Sequence, residues 1–335
     1  MRPRNRAGCK HLVLGTVNAE ERHIARFKKE GKEMRVKVGF IGIGNIGTPM
    51  SLNVLRAGYP LVVYDIRPAQ MEPLRREGAE AATSPSDVAS RCKTILLSLP
   101  NSHVVEQVTL GERGIIEGAE PDTVVVDLTS GNPLHTAMIC ARLADKGIHF
   151  IDAGVSGGIP GAEAATLGIM IGGDGEVFER VRPILEKIGS NLFHMGPVGA
   201  GHMTKALNNF LAATNLAAAC EAMVVATKAG LDPENVVAAF NASSGRSWAT
   251  EVRIPNFVLK GDFSYRGGMA MELIVKDLAT ACSIGKDQGV PMFIANLMHQ
   301  LLMRISDEIG AKTPNIAVAR AFEQWAGVEV RGSHQ

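Results

Sequence analysis

The stretch Val36-Lys-Val-Gly-Phe-Ile-Gly42-Ile-Gly44-Asn-Ile-Gly47 decides the fold, because an apolar strand runs directly into a glycine-rich turn and then into a helix. This order is typical of the site that binds the pyrophosphate of a dinucleotide. Gly42 permits the tight turn, Gly44 leaves room for the phosphates, and Gly47 lets the helix pack closely on the sheet. The phosphates would face the free N–H groups at the positive end of that helix. We predict that a nicotinamide or flavin cofactor is bound by Gly42, Ile43, Gly44, Asn45, Ile46 and Gly47.

A carboxylate after the second strand indicates which cofactor is bound. The strand Leu61-Val-Val-Tyr64 ends at Asp65, about twenty residues beyond the glycines, where an acid accepts hydrogen bonds from the adenosine ribose hydroxyls. The same charge repels a 2′-phosphate, which favours NAD over NADP. Arg67 lies two residues later and would instead bind that phosphate, so NADP stays open as an alternative.

Length and composition limit which kinds of protein and which partners are possible. The 335 residues suffice for about two domains, and 35 Lys and Arg nearly balance 34 Asp and Glu. This balance gives no electrostatic footprint for nucleic acid or an anionic membrane. The five scattered cysteines are typical of reduced thiols, so we predict a cytoplasmic protein, with the mitochondrial matrix as the second choice.

The apolar stretch 206–220 is too short to span a bilayer and contains three asparagines, which favours a buried helix.

The first 33 residues differ from the rest, being rich in Arg and Lys and poor in periodic apolar residues. Three interpretations stay open: an upstream start before the folded unit, a disordered or helical arm, or a mitochondrial transit peptide. Four glutamates and the absence of serine disfavour the transit peptide, although the first nineteen residues lack acids.

Strand-like and helix-like runs alternate from Val36 to about Phe193, which predicts an α/β doubly wound parallel sheet of the Rossmann type. After Gly201 the pattern is helical to about Ala326, which predicts a second, all-helical domain. We therefore predict a dinucleotide-binding domain over 34–196 and a helical substrate and oligomerisation domain over 197–330. The first helix of that domain is apolar around most of its circumference, so we expect a homodimer or homotetramer.

Further strands are predicted at 94–98, 123–127 and 149–152, and each ends in a loop with polar or turn residues. Ligands of open α/β sheets bind beyond the carboxyl ends of the strands, so these loops should converge on cofactor and substrate. The loop residues selected on this basis are Leu99, Pro100, Asn101, Ser130, Ser156, Gly157 and Gly158.

Lys205 is the strongest candidate for proton transfer. It follows the glycine-rich segment 196–201, and on a helix it shares one face with Asn208 and Asn209. The positive end of a helix and partial burial both disfavour an ammonium ion, so the pKa of Lys205 should lie closer to neutral pH. A lysine in that state can accept a proton.

Four segments resemble the motifs of the β-hydroxyacid dehydrogenase family, which includes 3-hydroxyisobutyrate dehydrogenase and tartronate semialdehyde reductase. They follow one another in the right order and spacing, and the resemblance spans about Met34 to Ala326. The segments are Gly39–Met50, Asp152–Gly158, Gly196–Asn209 and Lys276–Leu278.

The resemblance implies an oxidoreductase that transfers a hydride between a nicotinamide cofactor and a small β-hydroxyacid or its semialdehyde, with Lys205 as general acid/base. It implies that Asn208 and Asn209 orient substrate or cofactor, and that Ser156, Gly157 and Gly158 hold the substrate carboxylate. A hydroxyl beside successive backbone N–H groups also forms an anion-binding nest. Ser130 and Lys276 correspond to family positions close to the nicotinamide half of the cofactor.

The sequence also departs from the family pattern. Gly154 stands where the family often has proline, so the substrate loop should differ in shape. Gly131 replaces a usual apolar residue, which would enlarge the nicotinamide side of the site. His202, one turn before Lys205, would tune the lysine or be a polar residue of the helix start. Phe240, Trp248 and 269–271 would line the substrate cavity or pack in the core.

Three other interpretations remain. An imine reductase shares this architecture but commonly lacks the lysine, and phosphogluconate dehydrogenase has histidine where Asn208 stands and a far longer helical domain. A non-catalytic dinucleotide sensor would not need the Lys-Asn-Asn face. The nine histidines form no H-E-x-x-H or comparable cluster in the sequence, so no metal site is predicted.

Overall fold

An eight-stranded sheet forms the first half of the folded chain in the computed structural model, which describes residues 35–332. The strands are β1 (Val38–Ile41), β2 (Leu61–Tyr64), β3 (Glu80–Ala81), β4 (Thr94–Leu97), β5 (Val124–Asp127), β6 (His149–Ser156), β7 (Leu167–Gly172) and β8 (Gly189–Gly196). Their order is β3-β2-β1-β4-β5-β6-β7-β8. The predicted N-terminal extension lies outside the described residues.

Helices cover both faces of this sheet, as the doubly wound fold class predicts. They are α1 (Gly47–Arg56), α2 (Glu72–Arg76), α3 (Pro85–Arg91), α4 (Ser102–Leu110), α5 (Ile115–Gly118), α6 (Pro133–Ala144), α7 (Gly158–Glu163) and α8 (Gly175–Leu185). A short 3-10 turn at Pro68–Met71 precedes α2. The fold class is thus confirmed.

One strand pair departs from the parallel order. Strands β6 and β7 are antiparallel, with Asp152 opposite Gly172 and Ser156 opposite Gly168, whereas the other neighbouring pairs are parallel. A parallel crossover needs about a dozen or more residues, usually with a full helix. The connection between Ser156 and Leu167 contains only the short helix α7, so the chain turns back beside β6.

The two faces of the sheet lead into two separate cores, because successive side chains of a strand point to opposite faces. Val38 and Phe40 of β1 enter one core, and Ile41 enters the other. Strand β2 divides in the same way, with Val63 in the first core and Val62 in the second. Burial on both faces explains why these strands appear in the sequence as continuous apolar runs.

A 29-residue helix, α9 (Ala200–Lys228), begins the helical half. It is followed by α10 (Pro233–Asn241), a π-helical segment (Ala249–Val258), α11 (Met271–Asp287), α12 (Phe293–Ile309) and α13 (Val318–Ala326), with 3-10 turns at Tyr265–Gly267 and Asn315–Ala317. A third apolar core fills this half. Within the described range, the chain from Val36 forms one compact unit.

Helix α9 is long and apolar enough to cross a bilayer by length and composition, the one such helix in the range 35–332. In the fold it packs on β6, β7 and β8 at its beginning and on α11, α13 and the π-helical segment further along. It is therefore the central helix that joins the sheet to the helical half, as its apolar sequence indicates.

Candidate active site

The glycine-rich turn has the shape that a pyrophosphate requires. Gly42 has a φ of +96°, and a Cβ built on it would lie 2.2 Å from the carbonyl oxygen of Ser98. A Cβ on Gly47 would lie 2.0 Å from the Gly42 carbonyl oxygen, whereas one on Gly44 would meet no atom within 4 Å. Gly42 and Gly47 are thus needed by the protein itself, and Gly44 faces open space. Helix α1 has no capping side chain and no acid in its first turn, so no protein group there competes with an anion for the helix start.

Asp65 supports the turn from the end of β2. Its Oδ2 accepts a hydrogen bond from the Ile43 N–H at 2.8 Å, and its Oδ1 accepts one from the Arg67 N–H at 2.8 Å. The Arg67 Nε lies 3.3 Å from Oδ1, with 62% of the arginine side chain exposed and 6% of the aspartate. Arg67 is therefore held by Asp65, whose Oδ1 accepts both of its bonds, while Oδ2 keeps a lone pair for a ribose hydroxyl.

The loops after β4 and β5 are linked to each other. The Leu99 N–H donates to Thr129 Oγ1 at 3.1 Å, and the Asn132 N–H donates to Ser102 Oγ at 2.7 Å. Asn101, a predicted cofactor residue, caps α4 by accepting a bond from the Val104 N–H. The two loops thus form one rim beside the carboxyl ends of the strands.

Lys276 connects this rim to the helical half. Its Nζ donates to the carbonyl oxygen of Ser130 at 2.6 Å and forms an ion pair with Asp277 at 3.1 Å. The structure therefore brings together two predicted cofactor residues that lie on different elements. The ion pair is part-buried, with 29% of the lysine side chain exposed.

The beginning of α9 is fixed by a buried carboxylate, Asp152, which was not among the predicted site residues. Asp152 on β6 is fully buried, and its two oxygens accept hydrogen bonds of 2.7 Å from the Gly199 and His202 N–H groups. These N–H groups belong to the first turn, where a helix lacks internal acceptors. Asp152 therefore positions the helix that carries Lys205.

Glycines allow α9 to lie directly on the sheet. A Cβ on Gly201 would lie 2.3 Å from the Met170 carbonyl oxygen, and one on Gly154 would lie 2.7 Å from Lys205 Cβ. The departure at Gly154 thus places the Lys205 stem against the β6 backbone, two residues before Ser156.

Lys205 is buried, with 4% of its surface exposed. No hydrogen bond or ion pair from another residue in the range 35–332 reaches its amine. Burial is the main cause that lowers its pKa to about 8, and the charge of Lys276 lowers it further, while the charge of Asp277 opposes the shift. A fraction of the amine is therefore neutral near physiological pH.

A buried polar network extends from Lys276 to the two amides on α9. Asn209 donates from Nδ2 to Asp277 Oδ2 at 2.6 Å, and Asn208 donates from Nδ2 to Asn209 Oδ1 at 3.4 Å. Asp277 has 3% of its surface exposed, so Lys276 and Asp277 are not an ordinary exposed helix pair. The network sets the amide orientations, which leaves fewer conformations to be restricted when substrate binds.

The predicted carboxylate loop follows directly at the end of β6. Ser156 is half-buried, and its hydroxyl makes no hydrogen bond to any residue of the described chain. Gly157 and Gly158 are exposed and have φ values of +135° and +65°. Only glycine adopts such a pair of conformations readily, and it leaves the backbone N–H groups accessible to an anion.

His202 takes no part in the Lys205 face. Its ring is fully buried, with Nδ1 2.7 Å from Thr136 Oγ1 and Nε2 3.3 Å from the Asp127 carbonyl oxygen. A Cβ on Gly131 would lie 2.5 Å from this ring. The glycine therefore makes room for a histidine, rather than for the nicotinamide.

The other predicted cavity residues divide between core and surface. Phe240 and Met269 pack against the helical core, and Met271 is fully buried in it. Trp248 is 52% exposed and lies under the guanidinium of Arg253. Arg253 is buried, and burial lowers its pKa to about 10.

Two family models match successive parts of the chain. Residues 37–196 match the NAD-binding domain of 6-phosphogluconate dehydrogenase. Residues 199–322 match the NAD-binding domain of NADP-dependent 3-hydroxyisobutyrate dehydrogenase.

Curated proteins and solved structures agree with these matches. The chain is 38% identical to the 2-(hydroxymethyl)glutarate dehydrogenase of Eubacterium barkeri, over 90% of this chain and 99% of that protein. It is 37% identical to the NAD-dependent L-serine dehydrogenase of Pseudomonas aeruginosa, over 80% and 92% respectively. The 3-hydroxyisobutyrate dehydrogenase of Mycobacterium tuberculosis, solved with L-serine, superposes with a TM-score of 0.78 at 27% identity, covering 86% of this chain and 99% of that one.

Proposed function

Because this chain belongs to the 3-hydroxyisobutyrate dehydrogenase family of β-hydroxyacid dehydrogenases, we propose that Lys205 transfers the proton when its substrate is oxidised or reduced. The protein is an NAD-binding oxidoreductase that acts on a small hydroxyacid. One observation supports this role above all: the Lys205 amine is buried, has a lowered pKa, and lies on the same helix face as Asn208 and Asn209.

In the oxidative direction, neutral Lys205 accepts the proton of the substrate hydroxyl. In the reductive direction, the ammonium returns it to the developing alkoxide. The nicotinamide, when bound, supplies the hydride chemistry. Asn209 is held by Asp277 and accepts a bond from Asn208, so the two amides have fixed positions from which to orient the reacting groups.

We propose that the substrate carboxylate binds at Ser156, Gly157 and Gly158. The free serine hydroxyl and the exposed backbone of two glycines with positive φ support this role. Gly154, two residues before Ser156, lies against the Lys205 side chain. Strand β6 and helix α9 therefore hold the anion site and the amine in a fixed relation. Holding the substrate at such a pair restricts it to reactive geometries.

A panel of short hydroxyacids tests the substrate class. Purified protein should oxidise 3-hydroxyisobutyrate, L-serine or 2-(hydroxymethyl)glutarate, the carboxylates named for the relatives, and should leave the matching alcohols without a carboxylate unreacted. A protein that turns over none of the acids with NAD or NADP would contradict the substrate class.

Asp65 should determine cofactor preference. Replacing it by asparagine removes the charge that repels a 2′-phosphate and releases Arg67, so we expect the ratio of kcat/KM for NADP to that for NAD to rise about tenfold or more. Steady-state kinetics with both cofactors measures the ratio. Adding Arg67→Ala to the Asp65→Asn variant should cancel the gain, and an unchanged ratio in the single variant would contradict the role of Asp65.

We propose further that the functional unit is a homodimer or homotetramer. Helix α12 carries exposed apolar side chains on one face, with Phe293 79%, Leu297 65% and Ile294 55% exposed. A monomer rarely leaves such a contiguous stripe in water. Light scattering of the purified chain measures the mass, and a monomer at micromolar concentration would contradict the proposal.

We also propose the boundary at 196/197 between the dinucleotide-binding and helical domains, and the cytoplasm as the site of action. The change from strands to helices after β8 supports the boundary. Scattered cysteines without a disulfide among the described residues support a reducing compartment.

A further inference from the structure

Two histidines and a glutamate from different helices meet at the start of α4 and α6. His103 and Glu106 lie one turn apart on α4, and His135 lies in the first turn of α6. One nitrogen or oxygen from each side chain lies within 4.8 Å of the other two. The sequence gives no sign of this group, because its histidines are on separate helices.

The arrangement of the two rings suits a shared ligand. Their centroids are 4.7 Å apart, and the ring planes are inclined by 68°. A tetrahedral Zn²⁺ with ligands at about 2.0–2.1 Å requires ligand atoms about 3.4 Å apart. His103 is exposed and the other two side chains are half-buried, so small side-chain rotations suffice to bring the atoms to that spacing.

No other interaction explains the cluster. Within the described chain, none of the three side chains forms a hydrogen bond or an ion pair, apart from the contact between the two rings. In particular, no basic side chain in the range 35–332 pairs with the Glu106 carboxylate. Three ligand atoms with spare lone pairs are therefore available to one cation.

We propose that His103, Glu106 and His135 bind a divalent transition-metal ion of the Zn²⁺ class. Two imidazoles and one carboxylate form a donor set that such ions prefer, while Mg²⁺ and Ca²⁺ prefer all-oxygen sites. Three protein ligands leave a fourth position for water, and exposure of His103 provides the entry path.

The three side chains lie on the two helices that follow the loops of the rim. Helix α4 begins after the Leu99–Asn101 loop, and α6 begins after the Ser130–Asn132 loop. These loops are already joined by the bonds Leu99 to Thr129 and Asn132 to Ser102. A bound ion joins the two helices at a third point, where it restrains both loops together.

Calorimetric titration of the full-length protein with zinc chloride, without cofactor or substrate, tests the inference. Wild-type protein should bind one more Zn²⁺ per chain than the double variant His103→Ala/His135→Ala. Glu106→Gln should keep the site but weaken it, because an amide is a poorer ligand than a carboxylate. The measurement needs no turnover, so it stands apart from the proposed dehydrogenase activity.

A matched control removes two histidines elsewhere on the described chain. His149→Ala/His299→Ala should bind as many zinc ions as wild type. Circular dichroism and the melting temperature without metal show whether each variant is folded. If the His103→Ala/His135→Ala protein is folded and binds the same number of zinc ions with the same affinity as wild type, the inference is overturned.

Discussion

Replacing Lys205 by alanine is expected to lower kcat by about 10³-fold, within the range of about 10²–10⁴ that a positioned general acid or base contributes. The amine is the proton acceptor in the proposed reaction, and no neighbouring residue in the described chain offers a buried substitute. The affinity for NADH, measured by fluorescence titration, should change little. Lys205 takes part in proton transfer and does not belong to the Gly42–Gly47 turn that binds the pyrophosphate.

Lys205→Arg serves as the matched control for size and charge. Arginine keeps a long cationic side chain but does not lose its proton in proteins, so this variant should be as inactive as the alanine variant. A dinucleotide sensor would keep its function in both variants. Wild-type kcat in either variant would contradict the assignment of Lys205.

Asp152→Ala is expected to lower the free energy of unfolding by about 2–4 kcal/mol, because it leaves two buried N–H groups without their charged acceptor. It should also lower kcat at least tenfold in the protein that remains folded, since α9 carries Lys205. Urea unfolding and steady-state kinetics give the two values. Asp152→Asn keeps one acceptor oxygen and should lie between the alanine variant and wild type.

Asp174 provides a matched control for this cap. It accepts bonds from the Glu176 and Val177 N–H groups at the start of α8, but it is exposed and bonds to no residue of α9. Asp174→Ala should cost about 1 kcal/mol, as an ordinary cap does, with kcat unchanged. Equal losses of stability and activity in the two alanine variants would contradict the special role of Asp152.

Local patterns predicted most of the fold. The glycine turn, the apolar strands and the extent of the α9 helix follow from short-range chemistry, since φ preferences and hydrophobic periodicity act within a few residues. The reversal at β7 was not predicted, because strand direction depends on the length of the β6–β7 connection. The sequence shows that length only if both strands are recognised, and Leu167–Gly172 was not.

Contacts between distant segments were the part of the site that the sequence did not reveal. Lys205, Asn208 and Asn209 could be placed on one face from helical spacing alone. Asp152 and Asp277 could not be assigned, because each acts on residues of another element. Two patterns would have suggested Asp152: an acid within a buried strand, and a glycine-rich helix start without its own capping residue. His202 illustrates the reverse case, since its position suggested chemistry and its contacts are those of the core.

The pH dependence of kcat/KM in both directions is the most direct test of the central claim that Lys205 exchanges the proton. Burial lowers the pKa of Lys205 to about 8, and oxidation requires the neutral amine. We therefore predict that kcat/KM for the hydroxyacid rises with pH and levels off above about pH 8, whereas kcat/KM for the semialdehyde falls over the same range. Both inflections should vanish in Lys205→Arg. Profiles that keep the same inflection near pH 8 in that variant would contradict the account.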